Sequence, residues 1–333
     1  MKLGLCLGLV DQQNVDGQMD LAVEADRLGY DSCWFGEVYG SDCLTPITWV
    51  GARTSRIRLG TSILQLSART PTSAAMTAVT IDLLSKGRLS IGVGASGPQV
   101  VEGWYGQPYP RPLERTREWI TIFRQVVERA EPLVFHGKHY DIPYPGGTGL
   151  GKPLKLMIKP HRPRIPLYLG AEGPKNVALA AELCEGWLPM FISPYRMHVY
   201  DEALAPASPD FDIAAVVQVN IGDDLEACLA PVRQNVGFYV GGMGAKSVNL
   251  HKNHITRLGF GEAAERVQDL FLAGRRDEAY AAVPTQLADE ISLCGPWGRI
   301  RERLQDWKKS RISSLLVQAR DVATLRLFAE ALL

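Results

Sequence analysis

Paired cysteines, long apolar runs and an excess of one charge are all missing from this chain of 333 residues. The six cysteines lie far apart with no C-x-x-C pair, which argues against a zinc knuckle, a redox dithiol or a disulfide framework. No apolar stretch approaches the roughly 18 residues that a membrane span requires. Lys plus Arg equals Asp plus Glu at 36 each. We therefore predict neither nucleic-acid nor membrane partners.

Signals for secretion, hydrolysis and metal binding are equally weak. The start, MKLGLCLGLVDQQ, has no cleavage pattern, so we expect a cytoplasmic protein. No G-x-S-x-G elbow is present, and the histidines form no arrangement of nucleophile and base, which disfavours hydrolase chemistry. His136, His139 and Asp141 imitate a metal site. Because their Gly- and Pro-rich loop lacks the helical frame of zinc motifs, we predict no metal.

What the chain does have is an alternation of short apolar runs with amphipathic helical stretches. Nearly continuous apolar runs indicate strands buried on both faces. Eight β/α units in this order predict one α/β domain over residues 1–333, a TIM (β/α)8 barrel. The eight predicted strands are 3–9, 32–36, 57–64, 88–94, 166–170, 186–192, 213–220 and 314–319.

Two stretches interrupt this alternation. Residues 131–166 are rich in Pro and Gly, and residues 241–284 separate the last two predicted strands. Both are interpreted as insertions over the C-terminal rim of the barrel. Within the second, residues 246–257 hold five basic or histidine side chains and no acidic one. This local excess suits an anion, although a solvated lid remains the alternative.

Glycines follow the fourth predicted strand in IGVGASGPQVVEGWYG (91–106), where they match G-x-G-x-x-G. The Rossmann interpretation fails because that fingerprint belongs after a first strand. A backbone free of Cβ atoms can instead approach a flat ring or a pyrophosphate-like group. Pro98 after Gly97 also allows a short helix whose free N–H groups point outward. The alternative is a crowded barrel corner with no ligand.

The fifth predicted strand ends in LYLGAEGPKN (167–176). Small residues at a helix N-terminus, with the ammonium group of Lys175 nearby, make a phosphate cradle. An ordinary βα turn remains the alternative. After the second strand, Glu37 can orient a ring or transfer a proton if partial burial raises its pKa. Equally, Glu37 can cap a helix or pair with an arginine.

Four strings in the chain resemble the luciferase-like family, specifically its coenzyme F420-dependent oxidoreductase branch. They are GASGPQVVEGWYG, IRLGTSILQL, LYLGAEGPKNVALAAELCEGWLP and the segment from MGAKSVN to VQDLFLAGRRDEAYAAVP. The resemblance implies a bacterial-luciferase-like barrel that binds F420, with FMN as the alternative cofactor. It further implies hydride transfer at the deazaflavin C5 on a small-molecule substrate, and a homodimer.

The resemblance also implies positions for the cofactor. A non-prolyl cis peptide between Ser62 and Ile63 would back the ring, although composition alone makes these ordinary core and cap residues. The other implied cofactor residues are Gly94, Ala95, Ser96, Gly97, Pro98, Gln99, Gly170, Ala171, Glu172, Gly173, Pro189, Met190 and Phe191. Aromatic residues available to wall the ring pocket are Trp34, Trp104, Tyr105 and Tyr109.

One departure from the family concerns acid/base groups. Sugar-phosphate dehydrogenases of the family carry an Asp-His pair after strand two and a Glu after strand four, where this chain has Glu37-Val38 and Ser96-Gly97. Because Val38 cannot exchange protons, sugar oxidation by that mechanism is in doubt. The acid/base candidates are then Glu37, Tyr39, Glu102 or a bound water. The other functions left open are an FMN-dependent monooxygenase and a non-catalytic flavin- or F420-binding protein.

Overall fold

Eight parallel strands close into a barrel in the computed structural model, which describes residues 1–333. The barrel strands are paired in the order β1, β2, β3, β5, β8, β9, β10 and β12, and β12 pairs with β1. The predicted TIM barrel is therefore confirmed. The strands are β1 Lys2–Gly8, β2 Ser32–Phe35, β3 Arg58–Thr61, β4 Leu64–Gln65, β5 Leu89–Gly94, β6 Phe135–His136, β7 Asp141–Ile142, β8 Leu167–Gly170, β9 Gly186–Leu188, β10 Asp212–Ile221, β11 Ser292–Gly295 and β12 Ser314–Gln318.

Helices cover the outside of this barrel, and their first turns carry the residues that start helices well. Thr70 caps α3 through its side chain, and Asp321 caps α13 in the same way. None of the helices has the length and apolar composition that crossing a bilayer requires. The helices are α1 Val15–Leu28, α2 Leu44–Arg53, α3 Pro71–Leu84, α4 Pro98–Val101, α5 Pro112–Glu128, α6 Pro174–Leu183, α7 Leu225–Gly242, α8 Leu250–Ile255, α9 Gly261–Leu272, α10 Arg276–Ala281, α11 Thr285–Glu290, α12 Trp297–Lys309 and α13 Val322–Leu332.

The interior of the barrel is filled with side chains. Trp34 and Tyr168 meet there edge to face, with ring centroids 5.2 Å apart, and both are buried. A larger core of 58 buried residues lies between the strands and the surrounding helices. Trp34 therefore belongs to the packed interior. The sequence analysis had named it as an aromatic residue that could wall the ring pocket, and it does not have that position. A filled interior leaves the ends of the barrel as the places for chemistry.

The insertion 131–166 does not lie over the C-terminal rim, so this part of the prediction is wrong. Its hairpin packs along the outside of α5, where backbone N–H groups of 138–140 donate to Glu118. Arg162 then binds Asp82 at the end of α3 and the carbonyl of Leu89, the first residue of β5. In a (β/α)8 barrel the carboxyl end of each helix lies beside the amino ends of the strands. The segment between α5 and β8 therefore begins and ends at the face opposite the C-terminal rim.

The second insertion does lie over the C-terminal rim, and it is larger than predicted. It is a helical cap formed by α7 to α11, whereas the prediction covered only 241–284. The cap has its own core of 16 buried residues. A strand absent from the prediction, β11, joins it to the barrel by pairing with Gln218–Ile221 at the end of β10. The cap is therefore anchored beside the site that the rim forms.

Candidate active site

All the residues predicted for the site lie at one end of the barrel. Each one ends a barrel strand or follows it, and parallel strands have their carboxyl ends at the same rim. The structure therefore brings the five groups together around a single mouth. The groups follow β2 (Glu37, Tyr39), β3 (Ser62, Ile63), β5 (Gly94, Ala95, Ser96, Gly97, Pro98, Gln99, Glu102), β8 (Gly170, Ala171, Glu172, Gly173) and β9 (Pro189, Met190, Phe191).

The turn after β3 carries the non-prolyl cis peptide bond between Ser62 and Ile63. A Cβ atom at Gly94 would lie 2.8 Å from Cδ1 of Ile63, and one at Gly170 would lie 2.9 Å from its Cγ2. Contacts that short would force the Ile63 side chain to shift, so glycine fits both positions best. The Ile63 side chain occupies the space beside these two glycines, and their contact with a ring stays a prediction. The two glycines allow the Ser62–Ile63 turn to lie between β5 and β8.

Glu37 is fixed by an ion pair with Arg69. Its side chain is 3% exposed, and both its oxygens accept from Nη1 of Arg69 at 2.8 Å. Its Oε2 also accepts from the backbone N–H of Gln65 at 2.9 Å. The sequence left open a pairing with an arginine, and that is what the structure contains. Glu37 consequently ties the end of β2 to the segment that follows the cis peptide.

Arg69 is a site residue that the sequence analysis did not name. It lies five residues after the third predicted strand, 57–64, at a distance where no periodic pattern points to the rim. The pKa of Arg69 is raised: burial opposes its charge, but hydrogen bonding to Glu37 and the charge of that carboxylate outweigh burial. Since the pair neutralises itself, Arg69 offers no free positive charge to an anionic ligand.

After β5, the backbone turns sharply through Ser96, which has a left-handed φ of 57°. The hydroxyl of Tyr109 donates to the carbonyl of Ser96 at 3.0 Å, and this bond holds the turn. Gly97 then precedes α4, with Pro98 at the first position, as the sequence predicted. Since α4 has only four residues, it contributes little dipole to the site.

After β8, Gly173 precedes α6, a helix of 10 residues with Pro174 in its first turn. A Cβ atom at Gly173 would meet nothing within 4 Å, so this turn faces open space. No side chain caps the helix, and Lys175 is exposed in its first turn. An open helix N-terminus with an ammonium group beside it is suited to an anion.

Glu172 brings a buried carboxylate to the same turn. Its Oε1 accepts from Nδ1 of His251 at 2.7 Å, and Arg257 donates to its backbone carbonyl at 3.0 Å. Burial alone would raise the pKa of Glu172, but the charge and hydrogen bond of His251, together with the charges of His254 and Arg257, lower it. The cap residues His251 and Arg257 thus offset the negative charge of Glu172 beside the helix N-terminus.

The basic run 246–257 is mostly neutralised, which corrects its interpretation as a free anion site. Lys246 lies 3.7 Å from Asp269, and Lys252 lies 3.0 Å from Glu265. His254 is completely buried. The charges that seem unopposed in the sequence are therefore paired with the next helix of the cap, α9.

His254 and Phe191 connect the cap to the end of β9. Nε2 of His254 donates to the carbonyl of Phe191 at 3.3 Å, and its Nδ1 accepts from the hydroxyl of Tyr200 at 2.9 Å. Burial lowers the pKa of His254, which agrees with this neutral tautomer. The Phe191 ring lies 5.5 Å from that of Tyr239, inside the core of the cap. Phe191 therefore serves the docking of the cap, and Pro189 beside it is buried.

Two aromatic side chains stand exposed at the mouth. Tyr39 is 51% exposed and Trp104 is 63% exposed, and their ring centroids are 6.3 Å apart. Glu102, two residues before Trp104, is exposed as well. Of the aromatic residues that the sequence offered for a pocket, Trp104 lies at the open mouth and Tyr109 is hydrogen-bonded to the β5 turn.

The barrel, the Ser62–Ile63 turn and the open α6 terminus together are features of one class of protein. Comparison with known proteins identifies that class. The luciferase-like monooxygenase family model matches residues 5–314. This chain belongs to that family.

Three individual relatives show which members of the family the chain is similar to. The chain is 46% identical to a Mycobacterium tuberculosis protein whose name assigns it provisionally to the coenzyme F420-dependent oxidoreductases, over 98% of this chain and 99% of that one. It is 27% identical to a 5,10-methylenetetrahydromethanopterin reductase of Archaeoglobus fulgidus, over 88% of this chain and 86% of the relative. A solved F420-dependent secondary alcohol dehydrogenase shares the fold with a TM-score of 0.78 at 18% identity, over 99% of this chain and 98% of that chain. The chain is thus similar to F420-dependent oxidoreductases.

Proposed function

We propose that this protein is an F420-dependent oxidoreductase that transfers a hydride between C5 of the deazaflavin and a small organic substrate. The observation that carries the proposal is the pairing, at one rim, of the Ser62–Ile63 turn, packed against Gly94 and Gly170, with an open helix terminus at Gly173. A flat ring needs a firm backing, and an anionic tail needs a helix terminus. The 46% identical relative with an F420-dependent name supports the same cofactor.

The residues of the rim suit such a cofactor. Ser62, Ile63 and the turn after β5 would lie against the ring, and Gly173 and Lys175 would hold its phosphate. The remaining contacts that we assign are Gly94, Ala95, Ser96, Gly97, Pro98, Gln99, Gly170, Ala171, Glu172, Pro189, Met190 and Phe191. Bound F420 supplies hydride chemistry at C5, whereas the protein supplies orientation and electrostatics.

Among the acid/base candidates, the geometry favours Tyr39. Its hydroxyl belongs to an exposed side chain at the mouth, where it can donate a proton to a substrate oxygen. Glu102 is also exposed and makes no ion pair, so it is the second candidate. Glu37 would have to leave Arg69 before it could transfer a proton. We therefore assign Glu37 to holding the Ser62–Ile63 turn.

The decisive test compares cofactors. The purified protein is titrated separately with F420 and FMN, and oxygen uptake is followed with each reduced form. We expect tight binding of F420, weak binding of FMN and no oxygen uptake. Tight FMN binding with oxygen uptake would instead make the protein a monooxygenase. F420 binding without turnover across a panel of ketones, imines and enones would make it a cofactor carrier.

We also propose a homodimer. The outer face of α3 exposes Met76, Leu83 and Leu84, which is apolar surface of the kind that subunit interfaces bury. Light scattering coupled to size-exclusion chromatography should give twice the mass of 36.6 kDa. A monomer at micromolar concentration would contradict this proposal and leave the assignment of the active site unaffected.

A further inference from the structure

The exposed pair of Tyr39 and Trp104 bridges two loops of the mouth. Tyr39 follows β2 and Trp104 follows β5, and β3 is the strand between them in the sheet. Their rings lie 6.3 Å apart, so the loops after β2 and β5 meet at the rim. Large aromatic side chains left exposed in such a position are available to a ligand.

The charges around this pair are unfavourable for an anion. Asp42, just beyond Tyr39, is half-buried and accepts from the backbone N–H groups of Leu44 and Thr45, whereas Glu102 is exposed just before Trp104. Glu37 lies below them in its ion pair with Arg69, whose Nη2 is also 4.0 Å from Asp42. Two carboxylates, those of Glu37 and Asp42, thus lie within 4.0 Å of the Arg69 guanidinium. Since that guanidinium is already paired, no positive charge here is free for a phosphate or carboxylate.

We infer that Tyr39 and Trp104 determine substrate specificity by holding a flat, apolar, uncharged part of the substrate between the loops that follow β2 and β5. The substrates of this site are then aromatic or extended conjugated carbonyl compounds without an anionic group. This inference rests on the proposed function, and it adds the substrate class. It separates the mouth into a side near β2 and β5 that has no unpaired positive charge and an anion-binding side at α6.

The test uses two matched probes, 2-acetylnaphthalene and 6-acetyl-2-naphthoate, which differ by one carboxylate. Each is titrated by isothermal calorimetry into the protein, with and without saturating F420. We expect the neutral ketone to bind at least about tenfold more tightly than the carboxylate, because the anion meets only like charges. Equal affinity of the two probes, or tighter binding of the carboxylate, would overturn the inference.

Substitutions locate the binding. Tyr39→Ala and Trp104→Ala should each weaken 2-acetylnaphthalene about three- to tenfold, as expected for one lost aromatic contact. Tyr39→Phe keeps the ring and should retain the affinity, whereas any reduction of the ketone should slow if the hydroxyl donates the proton. Matched controls are Trp49→Ala and Tyr144→Ala, exposed aromatic residues on α2 and on the 131–166 insertion. They should bind the ketone like the unchanged protein.

The F420 affinity of each variant separates this inference from the proposed function. Tyr39→Ala and Trp104→Ala should bind F420 with unchanged affinity. If they lose F420 and 2-acetylnaphthalene together, the rings wall the cofactor and the substrate assignment is wrong. If the unchanged protein does not bind F420, the proposed function fails, whereas the comparison of the two probes on the cofactor-free protein still decides the charge preference of the mouth.

Discussion

Residues of the rim that are far apart in the sequence contact each other in the fold, and the ion pair of Glu37 with Arg69 is the main example. Glu37→Gln keeps the size of the side chain but removes the charge that Arg69 requires. We expect a loss of about 2 kcal/mol in the free energy of unfolding, the usual value for a hydrogen bond to a charged group. Chemical denaturation measures this loss. The control is Glu102→Gln, because Glu102 makes no ion pair, and its free energy of unfolding should equal that of the unchanged protein.

Activity of the same variants separates positioning from proton transfer. If Glu37 only holds the turn after β3, Glu37→Gln should bind F420 more weakly and leave the shape of the pH profile of kcat unchanged. A variant that is as stable as the unchanged protein but lacks one limb of that profile would show that Glu37 transfers the proton.

Two glycines of the same rim should respond differently to one added methyl group. Gly94→Ala would place its Cβ 2.8 Å from Ile63, and overpacking of this kind costs about 1–3 kcal/mol of stability. Ile63→Val, which lacks Cδ1, should restore part of the loss. Gly173→Ala meets no atom within 4 Å, so it should keep the stability and lower only the affinity for F420. Equal stability of the two alanine variants, measured by thermal unfolding, would contradict this account of the Ile63 packing.

At the scale of helices and loops, the cap is held to the rim by neutral His254. Burial lowers its pKa, so the unfolded chain binds more protons there than the folded one, and stability increases with pH. This contribution is complete above the unfolded pKa of about 6.5 and is lost as the pH falls below it. Glu172, whose pKa is also lowered, adds a second loss only at more acidic pH. Of the groups facing His254, Arg257 and His251 oppose its protonation, whereas Glu172 favours it.

Hydrogen exchange should reveal this docking directly. Between pH 7.5 and pH 5.5, after correction for intrinsic exchange rates, α8 and the segment 189–192 should lose protection while the barrel strands keep theirs. His254→Gln should remove most of this pH dependence. His136→Gln serves as the control, because His136 is exposed on the outer hairpin. Uniform loss of protection over the whole chain would contradict a local role for His254.

The elements also show what a sequence can predict. The eight barrel strands were predictable because burial on both faces requires continuous apolar runs. Strand β11 pairs with the end of β10 outside the closed barrel, and the helices of the cap pack around a core of their own, so neither follows from the eight β/α units. The placement of 131–166 failed because Pro and Gly indicate irregular structure but not the face it covers. The Glu37–Arg69 pair depends on a turn whose course only the folded rim defines.

For the molecule as a whole, the filled barrel confines ligand binding to one rim and leaves 131–166 on the outside. Saturation with F420 at about 100 times its Kd should therefore stabilise the fold by about 2.7 kcal/mol, or about 4 °C in Tm for a chain of this length. In hydrogen exchange with F420 bound, the backbone amides of the segments that surround the mouth should gain protection. These segments are 36–42, 62–69, 94–106, 170–176 and 250–258. Residues 131–166 should not change, because they pack along α5 and reach the amino ends of the strands. Protection gained there instead of at the rim would place the cofactor at the wrong end of the barrel and would contradict the whole arrangement.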